Sequence, residues 1–339
     1  MPGRSKEYLA LLLAALVQPV SPSESLAHFP VVFVLSWGET GSLPHQFMEP
    51  FGIDCDQEGY VYVVENTLHR IQKYDGFGNF VLAWGSLGGG DGQFRNPEGV
   101  AVGPDGYVYV ADARNRRVQK FTTNGDFVLA WETPNPGPTS DRARDIAFDS
   151  NGTVYVTFGE PGRVEKYTPE GVYLEEWDIP GNDVNPAGGA LGIAISSSNE
   201  VFVADPTHSW SCVRRFDTDG TLQLEWGGTG TGPGEFYVAI DVEIDDQGRV
   251  FVTDLLNARV QVFTTGGVHL GQWGSPGDGI FQFRNPRGVS VNPSLYIFVV
   301  DGNNDRIQKF GFGPLSLETI SWGKVKSLYR MPARPAGGP

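Results

Sequence analysis

Cysteine is nearly absent from this chain. The two present in 339 residues, Cys55 and Cys212, are too few for a disulfide-stapled scaffold or a four-cysteine metal centre. Histidine is scarce as well, with five in all. The apolar run YLALLLAALV (8–17) spans ten residues, short of the ~20 needed to cross a bilayer, so no transmembrane segment is expected in the mature chain. Basic residues are outnumbered 25 to 40, giving a net charge of −15. Such a chain repels the phosphate backbone that supplies most nucleic-acid affinity, and no nucleic-acid partner is expected. No serine stands in a nucleophile elbow, and no glycine loop is built to cradle phosphate.

Glycine and proline are plentiful, at 45 and 24, and aromatics make up 12% of the chain. That balance favours many turns and short strands over long helices. The first 27 residues stand apart. Arg4 and Lys6 precede the apolar run, and Ser25 and Ala27 occupy the small-residue positions before a cleavage site. Residues 1–27 therefore read as a signal peptide cut after Ala27, and the chain as secreted or periplasmic.

Internal repetition organises the rest. Tryptophans at 37, 84, 131, 177, 226, 273 and 322 recur every 46 to 49 residues, closing phrases such as FVLSWG (33–38), FVLAWG (80–85) and ETISWG (318–323). Each interval repeats one order of elements. A short apolar segment such as GVAV (99–102) leads to a turn such as GPDG (103–106), then an alternating strand, YVYVA (107–111), then RVQKF (117–121), then the tryptophan strand. Asp, Asn and Gly in the turns suit hairpins, and alternation of β-branched and aromatic residues suits strands. Four short strands in six intervals predict an all-β, six-bladed β-propeller of four-stranded antiparallel blades, with terminal-strand (velcro) closure. Seven tryptophan phrases for six blades leave two candidates for the last outer strand. The N-terminal FVLSWG is favoured, because it ties the ends of the ring together and hides an open edge. Residues 28–323 then form the propeller, and 324–339 a flexible basic tail, or else a sorting or attachment signal.

The phrase GQFRNPEGVAVGPDGYVYVADARNRRVQKF (92–121) resembles the repeat of the NHL family of six-bladed propellers, of bacterial exported type. The resemblance runs over roughly residues 33–323 and is weakest in blades 3 and 4. It implies ligand binding at the mouth of the central channel, where one residue per blade precedes the innermost strand. Those positions are Phe51, Glu98, Arg144, Leu191, Ile240 and Arg287, with Asp145 and Asp241 at the next place in two blades. The peptide-amidating lyases resemble these propellers and hold zinc through three histidines near these positions. None of His28, His45, His69, His208 and His269 stands there, so that chemistry is not expected. Gluconolactonase-like propellers hold a divalent ion through axial oxygens, which brings Asp54, Glu98, Asp145, Asp241 and Glu243 into view. Arg144 and Arg287 on the same ring oppose a cation, and Asp145 and Asp241 converge only if the channel is narrow. Two cysteines cannot build the RING of the family's ubiquitin ligases.

Within the repeat, Glu65 precedes Arg70, Asp112 precedes Arg117, Asp254 precedes Arg259 and Asp301 precedes Arg306, always by five residues. An acid closing the second strand and an arginine opening the third can meet across the turn, a scaffold role. Asn115, Asn257 and Asn304 are placed to cap the same turns. Blade 3 has Phe158 for the acid and blade 4 has Cys212 for the arginine, so their turns should be held differently. The other blades do not require basic residues at the positions of Arg114 and Arg116, having Thr67 and His69, Leu256 and Ala258, and Asn303 and Asp305 there, so these two arginines read as solvated surface. Cys55 and Cys212 fall on opposite blades, too far apart to pair.

The combined reading is a monomeric, non-enzymatic exported propeller, without a cofactor. It binds an unidentified protein, peptide or glycan through its loop-rich face. The alternative is a metal-dependent lactonase-like hydrolase, or a lyase, with its site in the central channel.

Overall fold

The computed structural model describes residues 30–133, 142–159, 162–181, 189–206 and 210–312. They form six four-stranded antiparallel sheets arranged as blades around an axis. Blade 1 runs from the inner strand Pro50–Cys55 through Val61–Glu65 and Arg70–Tyr74 to the outer Phe80–Trp84. Blades 2 to 5 repeat that order from Val100–Val102, Ala143–Phe148, Ile193–Ile195 and Ala239–Ile244. Blade 6 takes Pro286–Val291, Ile297–Asp301 and Arg306–Phe312, and its outer strand is Val31–Trp37 from the other end of the chain. Val31 pairs with Phe312 and Trp37 with Ile307, so the ring is closed by the N-terminal phrase, as the repeat predicts. The seventh phrase ETISWG, the predicted signal peptide and the basic tail lie outside the described residues.

Apart from the half-buried Arg249 that opens blade 5's, the second strands are buried from end to end, including the polar Glu65, Asp112, Asp254 and Asp301. Their alternating side chains feed two interfaces, one with each neighbouring blade. Tyr62, Val64 and Ile71 of blade 1 pack with Phe94, Val100, Val110 and Phe121 of blade 2 in one such cluster. The recurrent tryptophan belongs to these seams. Trp84 lies 5.8 Å from the ring of Phe121 in the next blade, and Trp37 lies 5.7 Å from Tyr74. An indole repeated once per blade is thus explained by packing area and edge contacts with the following blade.

A second series of contacts locks neighbouring blades. Lys73, Lys120, Lys166, Arg215 and Lys309 occupy one position of the third strand. Each donates to a carbonyl in the outer hairpin of the next blade: Thr123, Pro169, Thr218, Thr265 and Gly76 respectively. Blade 5 carries Val262 there. Its neighbour, blade 6, has no such hairpin, because the outer strand arrives from the N-terminus. The missing lysine therefore marks the closure in the sequence itself.

The four expected ion pairs form. Arg117 Nε lies 2.8 Å from Asp112 Oδ2, with equivalent pairs at Arg259–Asp254 (3.0 Å) and Arg306–Asp301 (2.7 Å) and contact between Arg70 and Glu65. Asn115 Nδ2 donates to the Gly88 carbonyl and to Asp112, and Asn257 and Asn304 repeat that pattern. Blades 3 and 4 keep a pair by placing one partner at the site of Gln72, Gln119, Gln261 and Gln308 on the third strand: the acid crosses from the second strand in blade 3, and the arginine moves two residues along in blade 4. Blade 3 places Glu165 there, which accepts from Arg163 at 2.6 and 2.8 Å. Blade 4 places Arg214 there, which bonds Asp205 and Glu225. Residues two apart on a strand share a face, which is why the exchange works. Both cysteines are free thiols.

Candidate functional site

The inner strands leave one edge facing the axis, and they approach each other closely. A Cβ on Gly99 would lie 2.6 Å from the Arg144 carbonyl and 2.7 Å from the Asp145 Cα of the next blade. Only glycine tolerates that approach. The channel is consequently narrow, and Asp145 and Asp241, although two blades apart, repel each other across it. A cavity of about 230 Å³ occupies the axis, lined by all six predicted mouth residues and by Asp54, Asp145, Asp241 and Glu243.

The four axial carboxylates bond backbone N–H groups of the neighbouring inner strand. Val102 N donates to Asp54, Ile193 N to Asp145 and Val289 N to Asp241, at 2.7 to 3.0 Å, and Val291 N donates to Glu243. Ser290 Oγ donates to Asp54 and links the last blade back to the first. These bonds satisfy edge donors that no strand partner reaches. Removal from water, the largest cause, pushes Asp54 up to about 6 and Asp241 up to about 7. It carries Asp145 and Glu243 well above the ordinary carboxylate range, with further repulsion from Asp241 on the first and Asp54 on the second. The column retains protons near neutrality and can donate one. Among the described residues, no group of three or more histidine, cysteine, aspartate or glutamate side chains is placed to hold a metal ion.

That protonation has a measurable consequence. Asp241 is held above its unfolded value of ~3.9, so its ionisation costs nothing below about pH 4, costs more as pH rises toward 7, and is constant beyond. His69 and His269, held below the usual histidine value by burial, act in the opposite direction below about pH 6.5, so a difference between two proteins is the cleaner readout. The Tm of Asp241→Asn relative to the unmodified protein is expected to rise between pH 5 and pH 8, by on the order of 5 °C. Thermal melts at four or five pH values test this, and a difference independent of pH would show that Asp241 is already ionised throughout.

At the mouth the six predicted positions come together, and the charges are sorted. Arg144 Nη1 lies 2.6 Å from Glu98 Oε2, a pair bridging blades 2 and 3. Arg287, diametrically opposite on blade 6, lies over the Phe51 ring at 4.6 Å. It has no carboxylate within ion-pair distance among the described residues, and burial lowers its pKa. Leu191 and Ile240 complete the rim. Thr157 and Thr253 hold the backbone of two rim residues, donating to the Leu191 and Arg287 carbonyls. These threonines were not legible as site residues, although both stand on the second strands of the blades that carry Asp145 and Asp241. Arg114 lies exposed as expected, whereas Arg116 is half-buried, and neither lines the cavity.

At the opposite end of the channel a hollow of about 610 Å³ is lined by turn residues, including Asp56, Asp149 and Asp245. Those acids are consumed by their own turns. Asp56, for example, accepts from Tyr60 N and from the Tyr62 hydroxyl. The loop-rich mouth is the better candidate.

Comparison with known proteins agrees with the fold. Residues 94–121 and 283–310 match the NHL repeat. No curated protein matches the sequence. Among solved structures, the chain is similar to a virginiamycin B lyase from Staphylococcus aureus (16% identity, TM-score 0.57, covering 80% of this chain and 98% of that one). It is also similar to a gluconolactonase from Xanthomonas campestris (14%, 0.61, 88% and 99%) and to a PQQ-bound aldose sugar dehydrogenase from Streptomyces coelicolor (15%, 0.59, 84% and 98%). At such identities the likeness is one of fold. The chain is a six-bladed β-propeller that carries NHL repeats in its second and sixth blades.

Proposed function

We propose that this chain is an exported binding protein that engages a protein, peptide or glycan at its loop-rich face and takes one group of that partner into the channel mouth. The observation that carries the reading is the mouth itself. An apolar shelf of Phe51, Leu191 and Ile240 adjoins three preset charges, Glu98, Arg144 and Arg287, above a cavity of about 230 Å³. A concave, mainly preformed site with a few convergent polar groups is the usual form of a ligand pocket. The axial carboxylates favour binding over metal-assisted hydrolysis, since their oxygens already accept backbone N–H groups.

The test is a screen of peptide and glycan arrays with the full chain, followed by titration of any hit against Leu191→Trp and Arg144→Ala. Filling the mouth with an indole is expected to weaken a true hit at least tenfold, and removing Arg144 several-fold. Hits that tolerate both changes would place binding elsewhere. A second reading, an axial hydrolase or lyase, draws on the column of Asp54, Asp145, Asp241 and Glu243, whose raised pKa values suit general acid catalysis closer to neutral pH. Turnover of a bound compound in the same titrations would favour it.

Export rests on residues 1–27, where basic residues, a ten-residue apolar run and small residues at 25 and 27 follow in order. Expression in a secreting bacterial host is expected to yield mature protein beginning at His28, as read by intact mass. An uncleaved, cell-retained chain would count against export.

A further inference from the structure

We propose that the group taken into the mouth is a carboxylate, received by Arg287. This inference rests on the binding reading above. It begins from a correlation between two positions that are distant in the repeat. Arginine occupies the mouth position in only two blades, at Arg144 and Arg287. The residue that follows the position of the strand-closing acid, Phe158 in blade 3 and Asp301 in blade 6, is glycine in those same two blades, Gly159 and Gly302. The other four carry Asn66, Ala113, Pro206 and Leu255 there. The structure supplies the reason. A Cβ on Gly159 would lie 2.6 Å from Arg144 Nε, and one on Gly302 would lie 3.1 Å from Arg287 Nε and 3.2 Å from its Cδ. Each glycine opens a notch through which an arginine stem reaches the mouth.

The two notched arginines differ in what they meet. Arg144 is consumed by Glu98, which is buried beside it. Arg287 lies half-buried on the Phe51 face, its side chain donating to no described residue. Three acids act on it from further away: Glu49, Glu98 and Asp305. Each has other partners: Thr67 Oγ1 donates to Glu49, Arg144 pairs with Glu98, and Thr40 Oγ1 and Glu49 N donate to Asp305. They keep Arg287 charged without occupying its donors. Below it, Thr253 fixes the Arg287 carbonyl at 2.6 Å, which holds the backbone while the Phe51 ring faces the guanidinium. A planar fork held on an aromatic ring beside a small cavity matches a carboxylate in two parallel hydrogen bonds. Burial holds the axial acids beneath above the ordinary carboxylate range, so they do not repel such a group as four full charges would.

A peptide C-terminus and a uronic acid both present this chemistry, and the test separates them. The full chain is titrated, by thermal shift and calorimetry, with short N-acetylated peptides as free acids and as C-terminal amides, and with glucuronate and glucose oligosaccharides of matched length. The expected result is at least tenfold tighter binding of the acid than of its neutral counterpart in one of the two series. Arg287→Ala should abolish that preference, and Arg287→Lys should restore it only in part. The comparison of acid with neutral ligand uses the unmodified protein, so it holds even if a variant misfolds. Equal affinity for acid and neutral forms of ligands that Leu191→Trp excludes would overturn the carboxylate assignment and leave the mouth as the binding site. Ligands that bind regardless of Leu191→Trp would overturn the binding reading itself.

Discussion

Deleting residues 30–37 is expected to abolish cooperative unfolding, and Trp37→Ala alone to cost about 3–5 kcal/mol. The segment Val31–Trp37 is the outer strand of blade 6, paired along its length with Phe312 to Ile307. Without it the strand Arg306–Phe312 becomes an open edge, and the first and last blades keep only side-chain links such as Ser290 to Asp54 and Lys309 to the Gly76 carbonyl. Trp37 contributes beyond its own blade, because its indole packs on Tyr74 and on Phe298, from two different blades. Circular dichroism melts of the deletion are expected to show a broad, non-cooperative loss of signal. A sharp transition near the unmodified Tm would mean that another strand can close the ring. The seventh tryptophan phrase, ETISWG at 318–323, is the natural substitute. A double deletion of 30–37 and 313–339 then decides whether that phrase supplies the rescue.

The closure shows what a repeat makes legible and what it hides. Six copies place four strands and a tryptophan seam on each blade and an acid-to-arginine pair on four of them, and the folded chain has them where the spacing puts them. The mouth positions were legible for the same reason, since each sits one step before a short apolar segment whose place in the blade is known, although the inner strands of blades 1, 3, 5 and 6 begin early enough to include them. Positions compared strictly by register do not show exchanges between registers. Phe158 with Glu165, and Cys212 with Arg214, looked like losses of the ion pair in blades 3 and 4. In the fold, blade 3 carries its acid on the third strand, two residues from Arg163 on the same face, and blade 4 carries its arginine two residues further along the third strand. Contacts between blades are hidden more deeply, because nothing in a single repeat indicates what its neighbour presents. The axial acids looked like candidate metal ligands, and only the close approach of adjacent inner strands shows them satisfying backbone donors. The glycine notches belong to this class too. Gly159 and Gly302 acquire meaning only when paired with an arginine 15 residues earlier in the chain.

Arg163→Ala is expected to cost about 3–5 kcal/mol, the largest effect of any single ionic substitution in the ring, because it strands a buried charge. Arg163 is 2% exposed and Glu165 fully buried. The arginine also lies over the Phe158 ring at 4.0 Å, so Phe158 occupies the acid's former place as a platform for the cation. Once the arginine is gone, Glu165 keeps the Tyr167 hydroxyl as a donor, and burial, already its largest pKa influence, drives it further toward the neutral form. The loss should therefore be greater at pH 8 than at pH 5, since protonating Glu165 at low pH removes the stranded charge. Adding Glu165→Gln to Arg163→Ala is expected to recover much of the stability, because glutamine occupies this position in blades 1, 2, 5 and 6 and is fully buried there. Denaturant melts of the two single variants and the double form a cycle whose coupling energy should exceed about 2 kcal/mol. Additive costs would mean that Arg163 and Glu165 act independently and that blade 3 is held by packing alone. The further combination Phe158→Asp with Glu165→Gln restores the register of the other four blades around Arg163. If the pair was moved without loss of strength, that variant should melt within a few degrees of the unmodified protein.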